Sequence, residues 1–116
     1  MFIGGISLHI SSQYADGALI ICFYGELDHH TAAQVFRDSR MLLDKYLPRS
    51  CILDLSGLTF MDSSGVAFIL RLRKILRLTG ASLTLTCPAE QPGRVILASG
   101  LDRLVSVNYR ESESVR

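Results

Sequence analysis

The hydrophobic pattern of this chain switches repeatedly between a two-residue and a helical period, and that alternation restricts it to a narrow class of folds. Ile6, Leu8 and Ile10 alternate with Ser7, His9 and Ser11, as in a half-buried strand. Asp16-Gly17 is a turn signal, and residues 18–24 read as a buried strand that pairs back as an antiparallel hairpin and ends at Gly25. Thr31-Ala32-Ala33-Gln34 has the form of a capping box, the Thr31 hydroxyl accepting from the Gln34 backbone while Gln34 reaches back to the cap. Val35, Phe36, Ser39, Leu42, Leu43 and Tyr46 follow at helical spacing. That helix stops before Pro48, because the residue before proline disfavours helical torsions.

Residues 51–55 read as a central strand, and a loop leads to a long proline-free helix over 63–79, closed by Gly80. Leu83, Leu85 and Cys87 alternate with Thr84 and Thr86 as another strand. Residues 92–98 form a short helix with Pro92 in its first turn, and 104–109 supply a last strand before a polar tail, 111–116, that frays. The order is β-β-α-β-α-β-α-β. Strands joined through helices run parallel with right-handed crossovers, so the expectation is an α/β domain with one mixed sheet of four or five strands and three main helices.

Composition supports a core and excludes several functions. The chain of 116 residues fits one domain, residues 1–116, and its 18 Leu, 9 Ile, 6 Val and 5 Phe are far above the level of a disordered chain. A formal net charge of +1 gives no electrostatic case for nucleic acid or an anionic membrane as main partner. The longest apolar run, residues 18–24, is far short of the ~20 residues that span a bilayer. The first Lys or Arg is Arg37, so no secretory signal is expected. Cys22, Cys51 and Cys87 are dispersed and odd in number, and read as buried reduced thiols of a cytoplasmic protein.

Two polar clusters interrupt the apolar pattern, each between a strand and a helix: Gly25-Glu26-Leu27-Asp28-His29-His30-Thr31 and Phe60-Met61-Asp62-Ser63-Ser64-Gly65. Both fall beyond the C-terminal ends of adjacent parallel strands, where open α/β sheets bind ligands and partners, so they should be neighbours. Asp62, Ser63 and Ser64 are all good helix caps, which is reason enough for their presence. A serine there is also well placed to carry phosphate, since free N–H groups and the positive dipole end favour an anion. Asp28 with His29 and His30 is a poor metal site: adjacent histidines point apart and no third spaced ligand follows. Catalysis by Ser63 or Ser64 would need a positioned base, and the surrounding sequence is not Gly-x-Ser-x-Gly. No phosphate-binding loop of the GxxxxGK[ST] type is present. No enzyme activity, cofactor or metal is therefore expected.

The runs Gly25-Glu26-Leu27-Asp28-His29-His30-Thr31-Ala32 and Leu58-Thr59-Phe60-Met61-Asp62-Ser63-Ser64-Gly65 resemble the anti-sigma factor antagonists of the STAS domain family, the Asp-His-His-Thr run narrowing the likeness to its sporulation branch. Gly80-Ala81-Ser82-Leu83 and Ser99-Gly100-Leu101-Asp102 fall where that family has similar segments. The resemblance implies a transcription-regulating phosphoprotein that works by partner switching. The unphosphorylated antagonist binds an anti-sigma factor that is also a serine kinase and frees the sigma factor. The kinase then phosphorylates the first serine of Asp-Ser-Ser-Gly, which ends binding, and a serine phosphatase resets the cycle. By position the phosphoacceptor is Ser63, and Glu26, Asp28, Asp62, Ser64 and Gly65 are the partner-binding residues. ATP and Mg²⁺ belong to the kinase, and the free protein is expected to be a monomer. The alternatives are a STAS scaffold or regulatory module without a kinase cycle, and a small serine hydrolase.

In the long helix, Val66, Ile69, Leu70 and Leu76 make a core stripe. Phe68, Leu72 and Ile75 lie on an adjoining face. They either widen the buried face, with Arg73 carrying its head to water, or form a contact patch for the kinase or a second copy. The helix carries Arg71, Arg73, Lys74 and Arg77 and no acidic residue, unlike the family's usual polar composition.

Overall fold

A computed structural model describes residues 8–86 and 88–109. Ile6, Ser7, Cys87 and the tail from 111 lie outside them. The elements are β1 (Leu8–Ala15), β2 (Ala18–Leu27), α1 (Ala32–Tyr46), β3 (Ser50–Met61), α2 (Ser63–Leu78), β4 (Ser82–Thr86), α3 (Glu90–Ser99), a 3₁₀ turn (Leu101–Arg103) and β5 (Ser106–Asn108). The five strands form one sheet in the order β1-β2-β3-β4-β5, with β1 antiparallel to β2 and the rest parallel. Sheet type, helix number and order are those read from the sequence.

The hairpin turn is built at Asp16 (φ 54°) and Gly17 (φ 83°), two left-handed residues whose twist suits a two-residue hairpin. Each later strand adds beside the one before it. Leu19, Ile21 and Phe23 of β2 alternate inward with Cys51, Leu53 and Leu55 of β3 and Leu85 of β4, all fully buried. Val35 and Leu43 of α1, Phe68, Ile69, Leu72 and Leu76 of α2 and Ile96 of α3 join them in one core. The intervening strand residues, Ile20, Cys22, Ile52 and Thr84, are only half-buried.

Several elements differ from expectation. β2 does not end at Gly25: it continues to Leu27, with register shifts between Cys22 and Tyr24 and between Gly25 and Glu26. β3 runs six residues beyond Leu55, through a segment that reads as a loop. The two shifts place two extra residues in β3, so its buried positions fall at Cys51, Leu53, Leu55, Leu58 and Met61. Each bulge flips the side-chain alternation, which erases the two-residue period by which strands are recognised. Gly57 sits at the first bulge, where a Cβ would lie 2.5 Å from the Phe23 carbonyl oxygen.

Within α2, Phe68 and Leu72 are buried and Ile75 is half-buried, so they belong to the core and not to an exposed patch. Leu70, placed in the core by its spacing, is 36% exposed instead. Arg73 takes the snorkelling position, its Nε donating to the Leu104 carbonyl at 3.1 Å. No helix among the described residues is long and apolar enough to cross a membrane.

Candidate functional site

The parallel pairing of β2 with β3 brings the two polar clusters together. Leu27 lies opposite Met61, and the ladder is extended by the Asp62 amide, which donates to the Leu27 carbonyl at 3.3 Å. Glu26 is thus a half-buried residue of β2, one position before the end of the strand and not in a loop.

The first turn is organised by Asp28. One of its carboxylate oxygens accepts from the amides of His30 (2.8 Å) and Thr31 (3.2 Å), and its carbonyl accepts from Thr31 and Ala32. The side chain is 17% exposed. Asp28 therefore starts the helical turn leading into α1. The capping box at Thr31 does not form. Thr31 has near-helical torsions (φ −107°, ψ −17°), and its hydroxyl turns back to donate to the Glu26 carbonyl (2.8 Å) and accept from the Asp28 amide (3.0 Å). Gln34 points away, bonded to Asp38 and Arg37. Threonine here ties the turn to β2.

The second turn follows the capping reading closely. Asp62 is extended (φ −119°, ψ −166°), and its Oδ1 accepts from the Ser64 amide at 2.8 Å. Its Oδ2 faces His29 Nδ1 at 4.0 Å, so the two turns touch through these side chains. Ser63, the first residue of α2, is exposed and makes no side-chain hydrogen bond to a described residue, whereas Ser64 is half-buried. Gly65 is buried. A Cβ on it would lie 2.4 Å from Met61 Cγ and 3.1 Å from Leu27 Cδ2, so its bare backbone lets α2 sit directly on the ends of both strands. Of the six positions singled out by the resemblance, Ser63 is the most open to a partner. Glu26, Asp28, Asp62 and Ser64 are partly covered, and Gly65 lies beneath the surface.

One contributor has no signal in the sequence. Gln91 of α3 holds the Met61 peptide on both sides, its Oε1 accepting from the Met61 amide (2.8 Å) and its Nε2 donating to the Met61 carbonyl (3.0 Å). Pairing with β4 stops at Asp54, so among the described residues this stretch of β3 has no strand on that side, and the glutamine amide takes a strand's place. Beside it, α2 and α3 enclose an open, mainly apolar groove of about 630 Å³, lined by Phe60, Val66, Ala67, Leu70, Val95 and Ala98, with Ser63 on its rim. On the other flank of α2, Arg71 stacks over the Phe36 ring at 3.7 Å and joins α2 to α1.

No ion-holding cluster of three or more His, Cys, Asp or Glu occurs among the described residues. Neither serine hydroxyl is bonded to a histidine. What the site offers is an exposed hydroxyl at a helix N-terminus, the Asp62 carboxylate beside it and an apolar groove alongside.

Comparison with known proteins places this geometry. The family model described as STAS domain matches residues 9–114. The anti-sigma F factor antagonist of Paenibacillus polymyxa is 35% identical over 111 residues, which is 91% of each chain. The anti-sigma factor antagonist SpoIIAA, solved in its unphosphorylated form, superposes with a TM-score of 0.75 at 25% identity, over 92% of this chain and 93% of that one. The Bacillus cell fate determinant SpoIIAA in its phosphorylated form gives 0.67 at 25% identity, over 92% and 96%.

Proposed function

The chain belongs to the STAS domain family as a homologue of anti-sigma factor antagonists, and we propose that it works as a phosphorylation-controlled partner switch. Its unphosphorylated form binds an anti-sigma factor that is also a serine kinase, freeing a sigma factor in the cytoplasm of a sporulating cell. Phosphorylation of Ser63 ends that binding, and a phosphatase restores it. The observation that carries this reading is the setting of Ser63: exposed at the start of α2, on the rim of an apolar groove, beside a turn anchored by Asp28.

The chemistry is that of a surface altered without refolding. A phosphate at Ser63 adds about 1.5–2 negative charges at the end of a helix whose dipole favours them, by roughly 0.3–1 kcal/mol when exposed. The fold therefore tolerates it. That the phosphorylated and unphosphorylated SpoIIAA structures both match this fold supports the same view. The cost falls on the complex. A partner covering the groove and its rim must desolvate the phosphate next to Asp62 and near Asp28, and an unpaired charge taken out of water costs several kcal/mol.

The test is incubation of the protein with its cognate kinase and ATP, followed by peptide mass mapping. Phosphate is expected on Ser63, and phosphate on another residue would refute the assignment. Ser63→Ala is expected to bind the kinase as the wild type does and to resist phosphorylation. Ser63→Asp is expected to bind at least about tenfold more weakly, the effect of roughly 1.4 kcal/mol. The groove can be read in the same assay: binding to Ser63→Ala is expected to fall when Ala67 or Val95, which line it, is replaced by Asp.

A further inference from the structure

Apart from the switch turn, α2 carries an unneutralised row of charge. Its 16 residues include Arg71, Arg73, Lys74 and Arg77 and no carboxylate. At about 100° per residue, Ser63, Lys74 and Arg77 fall within roughly 60° of one another on the solvent side, opposite the buried Leu72. Arg71 and Arg73 flank them, engaged only by an uncharged ring and a backbone carbonyl. Lys74 and Arg77 are exposed, and among the described residues neither has a carboxylate within 4.0 Å. The near-neutral net charge of +1 thus conceals a separation: carboxylates of Glu26, Asp28 and Asp62 at the strand ends, cations along the shaft of α2.

We infer that the α2 crest is an electrostatic docking rail for an acidic surface on the anti-sigma factor, an inference that rests on the partner-switch reading above. Two observations select this occupant. The crest cations Lys74 and Arg77, flanked by Arg71 and Arg73, are complemented by an acidic surface. Ser63 also shares the solvent face of α2 with Lys74 and Arg77, which lie about 17 and 21 Å further along the axis, so a partner that covers Ser63 and extends along α2 meets them. Exposed cations of this kind act mainly on the rate of encounter and are screened by salt within a Debye length of about 8 Å at physiological ionic strength. The rail speeds capture of the anti-sigma factor, while the groove and Ser63 decide how long it is held.

The experiment is stopped-flow association of the full chain with the purified cognate anti-sigma factor kinase at low and high NaCl. The double variant Lys74→Gln/Arg77→Gln changes two exposed side chains, and its thermal unfolding is measured alongside to show that it folds. At low salt its association rate constant is expected to fall about tenfold, with a shallower salt dependence and a dissociation rate changed less than twofold. An unchanged association rate and salt slope in a folded variant that still responds to Ser63→Asp would overturn the rail and leave the switch standing. A wild type that does not bind the kinase, or binds it regardless of Ser63→Asp, would overturn the switch and the rail with it. Anionic phospholipid vesicles are the control: binding to them that is lost in the double variant, with kinase association unaffected, would assign the crest to a membrane and overturn the proposal.

Discussion

At Asp62 two oxygens of one carboxylate do separate work. Oδ1 caps α2 through the Ser64 amide, and Oδ2 faces His29 across the gap between the turns. Asp62→Ala is expected to destabilise the domain by about 1 kcal/mol, read from urea unfolding, as loss of an N-cap does. Asp62→Asn keeps an acceptor for the Ser64 amide and is expected to recover most of that loss. This residue was legible in the sequence because capping is a local rule, fulfilled within three positions. Thr31 obeys the same rule on paper, yet its hydroxyl is taken by a carbonyl five residues back. The competing partner exists only once β2 has been extended past Gly25, so no local pattern reveals it. Asp28 was likewise singled out as a partner residue, and its hydrogen bonds show it shaping the turn.

Among the elements, β3 carries the functional geometry and was the least legible. Its first half alternates cleanly and is legible as a strand. Its second half has the sequence of a loop, because bulges at two points space the buried Leu55, Leu58 and Met61 three apart. α1 and α2 are legible to within a residue or two, since 3.6-residue periodicity and Gly80 mark α2 without reference to neighbours. But α3 spans Glu90–Ser99 against the expected 92–98, and the last strand, expected over 104–109, is only Ser106–Asn108. Gln91 was invisible for a different reason: a lone glutamine on a short helix announces nothing until α3 is placed against the end of β3. Gln91→Leu is expected to cost about 1–3 kcal/mol of unfolding free energy, because it leaves the Met61 N–H and C=O unpaired where water is partly excluded. Equilibrium denaturation measures this, and a change under 0.5 kcal/mol would mean that water replaces the amide.

For the whole molecule, two features follow from the shared core. One is that the fold class needed no more than the alternation of periods, because each strand-helix-strand unit adds the next strand alongside the last. The other concerns Cys51, fully buried on β3, whose thiol is pushed up from 9.0 to about 12 by burial. The folded state keeps its proton where the unfolded chain loses it. Stability from this group is therefore complete below about pH 9 and declines as pH rises from 9 toward 12. Urea midpoints across that range are expected to fall with pH, and Cys51→Ser is expected to lessen the fall. Mass mapping after brief alkylation is expected to find the half-exposed Cys22 labelled in the native protein and Cys51 only on unfolding.

Beyond Asp54, β3 outruns β4 among the described residues. From Ser50 to Asp54 the strand lies between β2 and β4; from Leu55 to Met61 it pairs with β2 alone among the described strands, its other edge met by Gln91 of α3 while Leu55, Leu58 and Met61 stay buried in the core. Ser63 stands two residues past the end of that strand. A partner that covers Ser63 therefore meets a strand end whose hydrogen-bonding edge is closed by a side chain and not by another strand.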